Sequence, residues 1–173
     1  NASGIVSAIN RQVIVAALTS LALLVVLPAA PVLAAGSLTP KPTRLAYFGT
    51  DARLGFDDNG AAGSSAGDVR TLALTLRTAT GSAVGTVDIV QTLTDEAAVD
   101  RAVKVLVITL PKGAIMAQGL TTFDDFINPA SRPNDRVEQL AIVGGTGKYR
   151  GASGIVDIEV LPNFRSRWII SIY

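Results

Sequence analysis

From residue 44 onward the apolar side chains recur at every second position, in short runs closed by Gly, Pro, Asn, Asp or Ser. A period of two places alternate side chains on opposite faces of an extended strand. A helix instead needs apolar residues three and four apart. The clearest run is 69–78 (VRTLALTLRT), with Leu72, Leu74 and Leu76 on one face and Thr71, Ala73 and Thr75 on the other. Thr80-Gly81-Ser82 turns it back into 84–93 (VGTVDIVQTL) as a hairpin partner. Runs at 44–50, 103–110, 114–122, 136–143, 154–161 and 165–172 bring the expected strands to eight, and 56–67 (FDDNGAAGSSAG) is expected as a long loop of small residues. The fold class this implies is all-β: an eight-stranded antiparallel β-barrel, because closing the sheet removes its exposed edges. A two-sheet sandwich shares the same periodicity and remains the alternative.

The first 36 residues follow another rule. Residues 13–27 (VIVAALTSLALLVVL) carry no charge, Arg11 precedes them, and PAAPVLAAG follows at 28–36. A basic start, a short apolar run and a small-residue segment form the pattern of a signal peptide, here with a cut after Ala34. The run is short of the roughly 20 residues that a membrane-spanning helix needs. The expectation is an N-terminal hydrophobic helix over 1–36 that serves as signal, membrane anchor or docked lid, a linker at 37–43, and a barrel domain over 44–173. Export or membrane association follows if residues 1–34 act as a signal, with membrane contact through 13–27; otherwise the protein is cytoplasmic.

Composition restricts the chemistry. The chain has no histidine and no cysteine, which removes the commonest general base, thiolate nucleophiles, disulfides and the usual ligands of zinc and iron–sulfur centres. A net charge of +1 without a basic stripe gives no case for nucleic acid. The carboxylate pairs Asp57-Asp58 and Asp124-Asp125 lack further spaced ligands, so no metal site and no cofactor is assigned. Asp68, Asp88, Asp157 and Glu159 read as a turn cap and as solvated outer-face residues. The stretch Gly144–Gly151 (GGTGKYRG) fails as a phosphate loop: Ile142 stands where the first glycine is required and Tyr149 where Ser or Thr must follow Lys148. It also opens no helix, so its glycines read as a tight barrel corner.

That corner, Ile142 through Gly154 (IVGGTGKYRGASG), resembles the signature of plant dirigent proteins and allene oxide cyclases. Upstream, Gly67-Asp68, Arg77-Thr78, Val84-Gly85-Thr86 and residues 112–119 (KGAIMAQG) are similar, in order, to successive blocks of the cyclase barrel. The resemblance spans about residues 44–173. It implies a ligand cavity at one mouth, assembly as a dimer or trimer, and control of a reactive intermediate by conformation rather than covalent catalysis. Bacterial relatives of this barrel type include cyclases that close rings by cycloaddition. Where plant cyclases place a glutamate and an asparagine on the first strand, this chain has Tyr47 and Gly49. Their second-strand asparagine falls at Leu74, their third-strand cysteine at Gln91 and their fifth-strand tyrosine at Thr121. The dirigent first-strand pattern of aromatic and aspartate is kept at residues 46–51 without its histidine. Two functions follow as expectations. One is a cofactor-independent cyclase that folds an apolar polyene or polyketide-like substrate for ring closure, including [4+2] cycloaddition. Tyr47, Gln91 and Thr121 would then act as hydrogen-bonding catalytic groups, with Leu72, Leu74, Leu76, Ile89 and Trp168 as substrate contacts. The other is a secreted dirigent-type scaffold, or a carrier of a small apolar ligand, without intrinsic catalysis.

Overall fold

The computed structural model describes residues 41–95, 99–163 and 165–173. The N-terminal hydrophobic helix expected over 1–36 and most of the linker lie outside the described residues. The rest is a closed barrel, not a sandwich. Its strands are β1 (Thr43–Asp57), β2 (Val69–Arg77), β3 (Ala83–Asp95), β4 (Asp100–Leu110), β5 (Gly113–Phe123), β6 (Val137–Gly145), β7 (Gly154–Leu161) and β8 (Arg165–Ile172). Each strand pairs antiparallel with its neighbour in sequence, and β1 closes on β8 from Thr43↔Ile172 to Gly49↔Ser166. Among the described residues no helix is long and apolar enough to cross a membrane.

The alternation read from the sequence determines the interior. Leu74 and Leu76 of β2, Val87 and Ile89 of β3, Leu106 and Ile108 of β4, Ile115 and Ala117 of β5, and Trp168 and Ile170 of β8 are buried together in one core. Strand β1 departs from expectation. Alternation breaks near Asp51, which ends the strand at residue 50 if read from sequence alone. In the structure the strand continues to Asp57 through a bulge. Asp51 adopts a left-handed φ of 56°, and its carboxylate accepts a 3.0 Å hydrogen bond from Arg77 Nη2. The extra residue reverses the parity: Leu45 and Tyr47 pack inward before the bulge, and Ala52 and Leu54 do so after it.

Loops at the two ends are fastened differently. At one end, Asp68 is fully buried and accepts hydrogen bonds from the backbone N–H of Asn59 (2.8 Å) and Ser65 (2.7 Å), folding residues 58–68 onto themselves. Asp100 ties that loop to the next one, accepting from Ser64 Oγ at 2.7 Å and from the Phe126 N–H at 2.6 Å. Phe126 then packs edge-on against Phe123, ring centroids 5.4 Å apart. At the opposite end the glycine corner is a barrel corner, as its sequence implies. A 3₁₀ turn at Gly147–Tyr149 follows β6, and the N–H groups of Thr146 and Lys148 donate to the carbonyls of Ala114 and Lys112, both at 2.8 Å. Gly113 makes this approach geometrically allowed: its φ is +141°, and a Cβ there would lie 2.1 Å from the Thr146 carbonyl oxygen. Replacing Gly113 by Ala is expected to destabilise the barrel by about 1–3 kcal/mol, read as a lowered midpoint in denaturant unfolding.

Candidate functional site: a cavity at one end of the barrel

A cavity of about 150 Å³ lies at the end of the barrel opposite the glycine corner. Its walls are mostly aliphatic: Leu54 from β1, Leu72 and Leu74 from β2, Ile89 from β3, and Ile158 and Val160 from β7. Trp168 of β8 contributes an indole whose Nε1 donates to Ser166 Oγ at 2.7 Å. The opposing residue of β1 has to be small for this. A Cβ on Gly49 would stand 2.3 Å from Ser166 Oγ and 2.8 Å from Trp168 Nε1. Arg132 and Pro133, from the segment between β5 and β6, line the remaining side.

One corner of this apolar space is polar. Arg70, Gln91 and Lys104 stand directly opposite one another across β2, β3 and β4. Gly119 faces Lys104 on β5 without a side chain, and on β6 the Glu138 carboxylate meets the lysine, Nζ to Oε1 2.5 Å. Thr121 Oγ1 donates to the same Oε1 at 2.6 Å. The Lys104 and Glu138 side chains are each only 4% exposed. Burial therefore pulls the Lys104 ammonium below its ordinary pKa, an effect that the facing carboxylate opposes and Arg70 reinforces. Arg70 is pushed down to about 10, chiefly by burial and secondarily by Arg132.

Of the residues expected from sequence to form the site, Leu72, Leu74, Ile89, Gln91 and Trp168 line the cavity. Leu76 lies in the core, and Thr121 stands behind Glu138 with its hydroxyl proton directed to that carboxylate. Tyr47 also packs on the interior, but it is not part of the cavity wall and is not brought together with Gln91. Burial, and after it the nearby Tyr149 phenol, raises the Tyr47 pKa. Sequence reasoning missed Arg70, Lys104 and Glu138. A signal existed: Arg70 has the parity of Leu72, Leu74 and Leu76, and Glu138 that of Leu140 and Ile142. Parity places these three charges on the inward face but does not supply the partners that make their burial tolerable.

A family model described as allene oxide cyclase barrel-like domain matches residues 49–172. No protein of curated function matches the sequence. Solved structures share the fold at low identity. Pyocyanin demethylase superposes with a TM-score of 0.63 at 20% identity, over 76% of this chain and 100% of that one. The Diels Alderase AbmU from Streptomyces koyangensis gives 0.60 at 15%, over 75% of this chain and 63% of that one, so this chain spans under two thirds of that enzyme. A pterocarpan synthase dirigent protein gives 0.54 at 18%, over 76% and 84% respectively.

The buried pair makes a stability prediction. Glu138→Leu strands the Lys104 charge in the interior and is expected to cost about 3–5 kcal/mol. The double variant Lys104→Met/Glu138→Leu should recover most of that loss in urea unfolding, because it removes both charges while keeping similar volume.

Proposed function

Since the chain belongs to the allene oxide cyclase barrel-like family, we propose that it is a cofactor-independent cyclase of natural-product biosynthesis, which folds an apolar polyene or polyketide-like substrate in the barrel and directs its ring closure. The observation that carries this reading is a cavity with largely aliphatic and indole walls and a row of buried hydrogen-bonding groups at one corner. Such a space favours a folded conformer of a flexible chain. Restricting the chain in advance removes conformational entropy from the barrier and is worth up to several kcal/mol. The polar corner adds electrostatics. Gln91 presents an amide, and Lys104 has three N–H donors of which Glu138 accepts one. Either group aimed at a carbonyl stabilises the charge that develops on its oxygen as a conjugated alkene is attacked. Thr121 serves by holding Glu138, and Trp168 offers a flat apolar surface to the polyene. A [4+2] cycloaddition suits such a site because it needs neither a nucleophile nor a proton relay, and a fold shared with a Diels Alderase supports that choice.

Assembly through the outer face of β3–β5 belongs to the same reading. Val90, Val103, Val105, Met116 and Leu120 are exposed there, and a second copy covering them gives a dimer or trimer. A monomeric sedimentation coefficient at micromolar concentration would remove this element.

The activity is tested with a panel of linear conjugated trienes, each bearing a carbonyl-activated alkene. Acceleration over the uncatalysed reaction and enrichment of one stereoisomer are expected by chiral chromatography. Leu72→Trp, which fills the cavity, should lower the rate at least tenfold. If selectivity appears only when a separate oxidase generates the reactive species, the dirigent-type scaffold replaces the cyclase. Binding without any turnover leaves the carrier.

A further inference from the structure

Arg70 has a role that conformational restriction of a polyene does not use. The residue is only 5% exposed, and its Nη1 is buried without a hydrogen-bond partner. The rest of the side chain is held in place. Nη2 donates to the Ser131 carbonyl at 3.1 Å, and the guanidinium carbon lies 5.2 Å from the Phe56 ring centroid and 4.9 Å from that of Phe123. An aromatic ring on each of two elements fixes the plane of the fork and keeps the cation dehydrated. Nη1 is therefore an unused donor, covered by protein, at a residue that forms part of the cavity wall.

The charge of the cavity points the same way. Its lining contains Arg70, Lys104, Arg132 and Arg165 against one acid, Glu138. That acid is in hydrogen-bond contact with Lys104 and Thr121, so its charge is taken up at the far side of the corner. Repulsion from Arg132 lowers the Arg70 pKa more than attraction from Glu138 raises it. A buried guanidinium with an unused donor, in a pocket with excess positive charge, is complementary to an acidic oxygen group on an apolar body.

We infer that the cavity takes an amphiphilic anion: an apolar chain or ring lying against Leu72, Leu74, Ile89 and Trp168, with a carboxylate, enolate or similar oxyanion received by the Arg70 guanidinium. This rests on the cavity being the ligand site proposed above and adds the substrate's charge. Placement at Arg70 also orients the ligand, because the anion is held on β2 while the carbonyl donors Gln91 and Lys104 lie one and two strands further on.

A matched pair of probes separates the two claims: 4-butylbenzoate and the neutral 4-butylbenzyl alcohol, titrated calorimetrically into the full chain. The benzoate is expected to bind at least tenfold more tightly. Arg70→Met should weaken the benzoate about tenfold or more and leave the alcohol within twofold, which a loss of fold would not do. Arg70→Lys, which keeps a cation, should retain a measurable preference for the benzoate and stands in if the methionine variant does not fold. Equal affinity of the two probes, with Arg70→Met changing neither, overturns the anion inference while leaving the apolar ligand site intact. Binding of neither probe, or binding that persists unchanged in Leu72→Trp, overturns the ligand site itself and the anion inference with it.

Discussion

Closure of β1 onto β8 is the constraint on which the rest of this structure depends. Seven residue pairs join the two strands, from Thr43↔Ile172 to Gly49↔Ser166, and they convert an open meander into a barrel with a single interior. Once the seam is closed, parity alone decides what lies inside. Most of the inward rows meet in one core, while Leu93, Ala102 and Phe123 form a smaller cluster with Phe126 at one end. The seam also explains the bulge at Asp51. A continuous β1 would pair with both β2 and β8 at one parity over its full length. The extra residue instead lets its first half close the seam with Tyr47 inward and its second half pack Ala52 and Leu54 toward the cavity.

The interior is divided lengthwise. Toward the glycine corner it is tightly filled by aliphatic side chains such as Leu76, Val87, Ile108 and Ile115, all at 0% exposure. Toward the other end the polar row Arg70–Gln91–Lys104, completed by Glu138, interrupts that packing and borders the cavity. Burying a lysine and a glutamate there is costly, and only their mutual contact at 2.5 Å with Thr121 in attendance offsets it. Hydrophobic residues of the same size would serve the core at least as well. The charged groups therefore fit better as parts of a binding site than as stabilising devices, and the unpartnered Nη1 of Arg70 reinforces this view.

Several parts of this arrangement were legible in the sequence because each depends on local pattern. Eight alternating runs predict eight strands, and the strand ends differ from the structure by a few residues except in β1. There the bulge places a left-handed Asp51 where the alternation breaks. The glycines at 144–151 predict a corner without a phosphate. Parity puts Leu72, Leu74, Ile89 and Gln91 on the inward face, and the structure places them, together with Trp168, in the cavity wall. Tyr47 shares their inward face but falls outside the wall, since parity gives a residue's face and not its height along the barrel.

What the sequence determined by itself is the strand, its faces and its turns, because a period of two and the φ preferences of glycine and proline act over a few residues. What only the tertiary structure decided is which inward side chains meet. Arg70, Lys104 and Glu138 lie on three strands, with Lys104 and Glu138 separated by 34 positions in the chain. The Lys104–Glu138 contact depends on barrel register and on the closure that brings the inward rows of β4 and β6 together. No local pattern encodes those conditions, because the energy of a buried charge is set by its partners across the sheet.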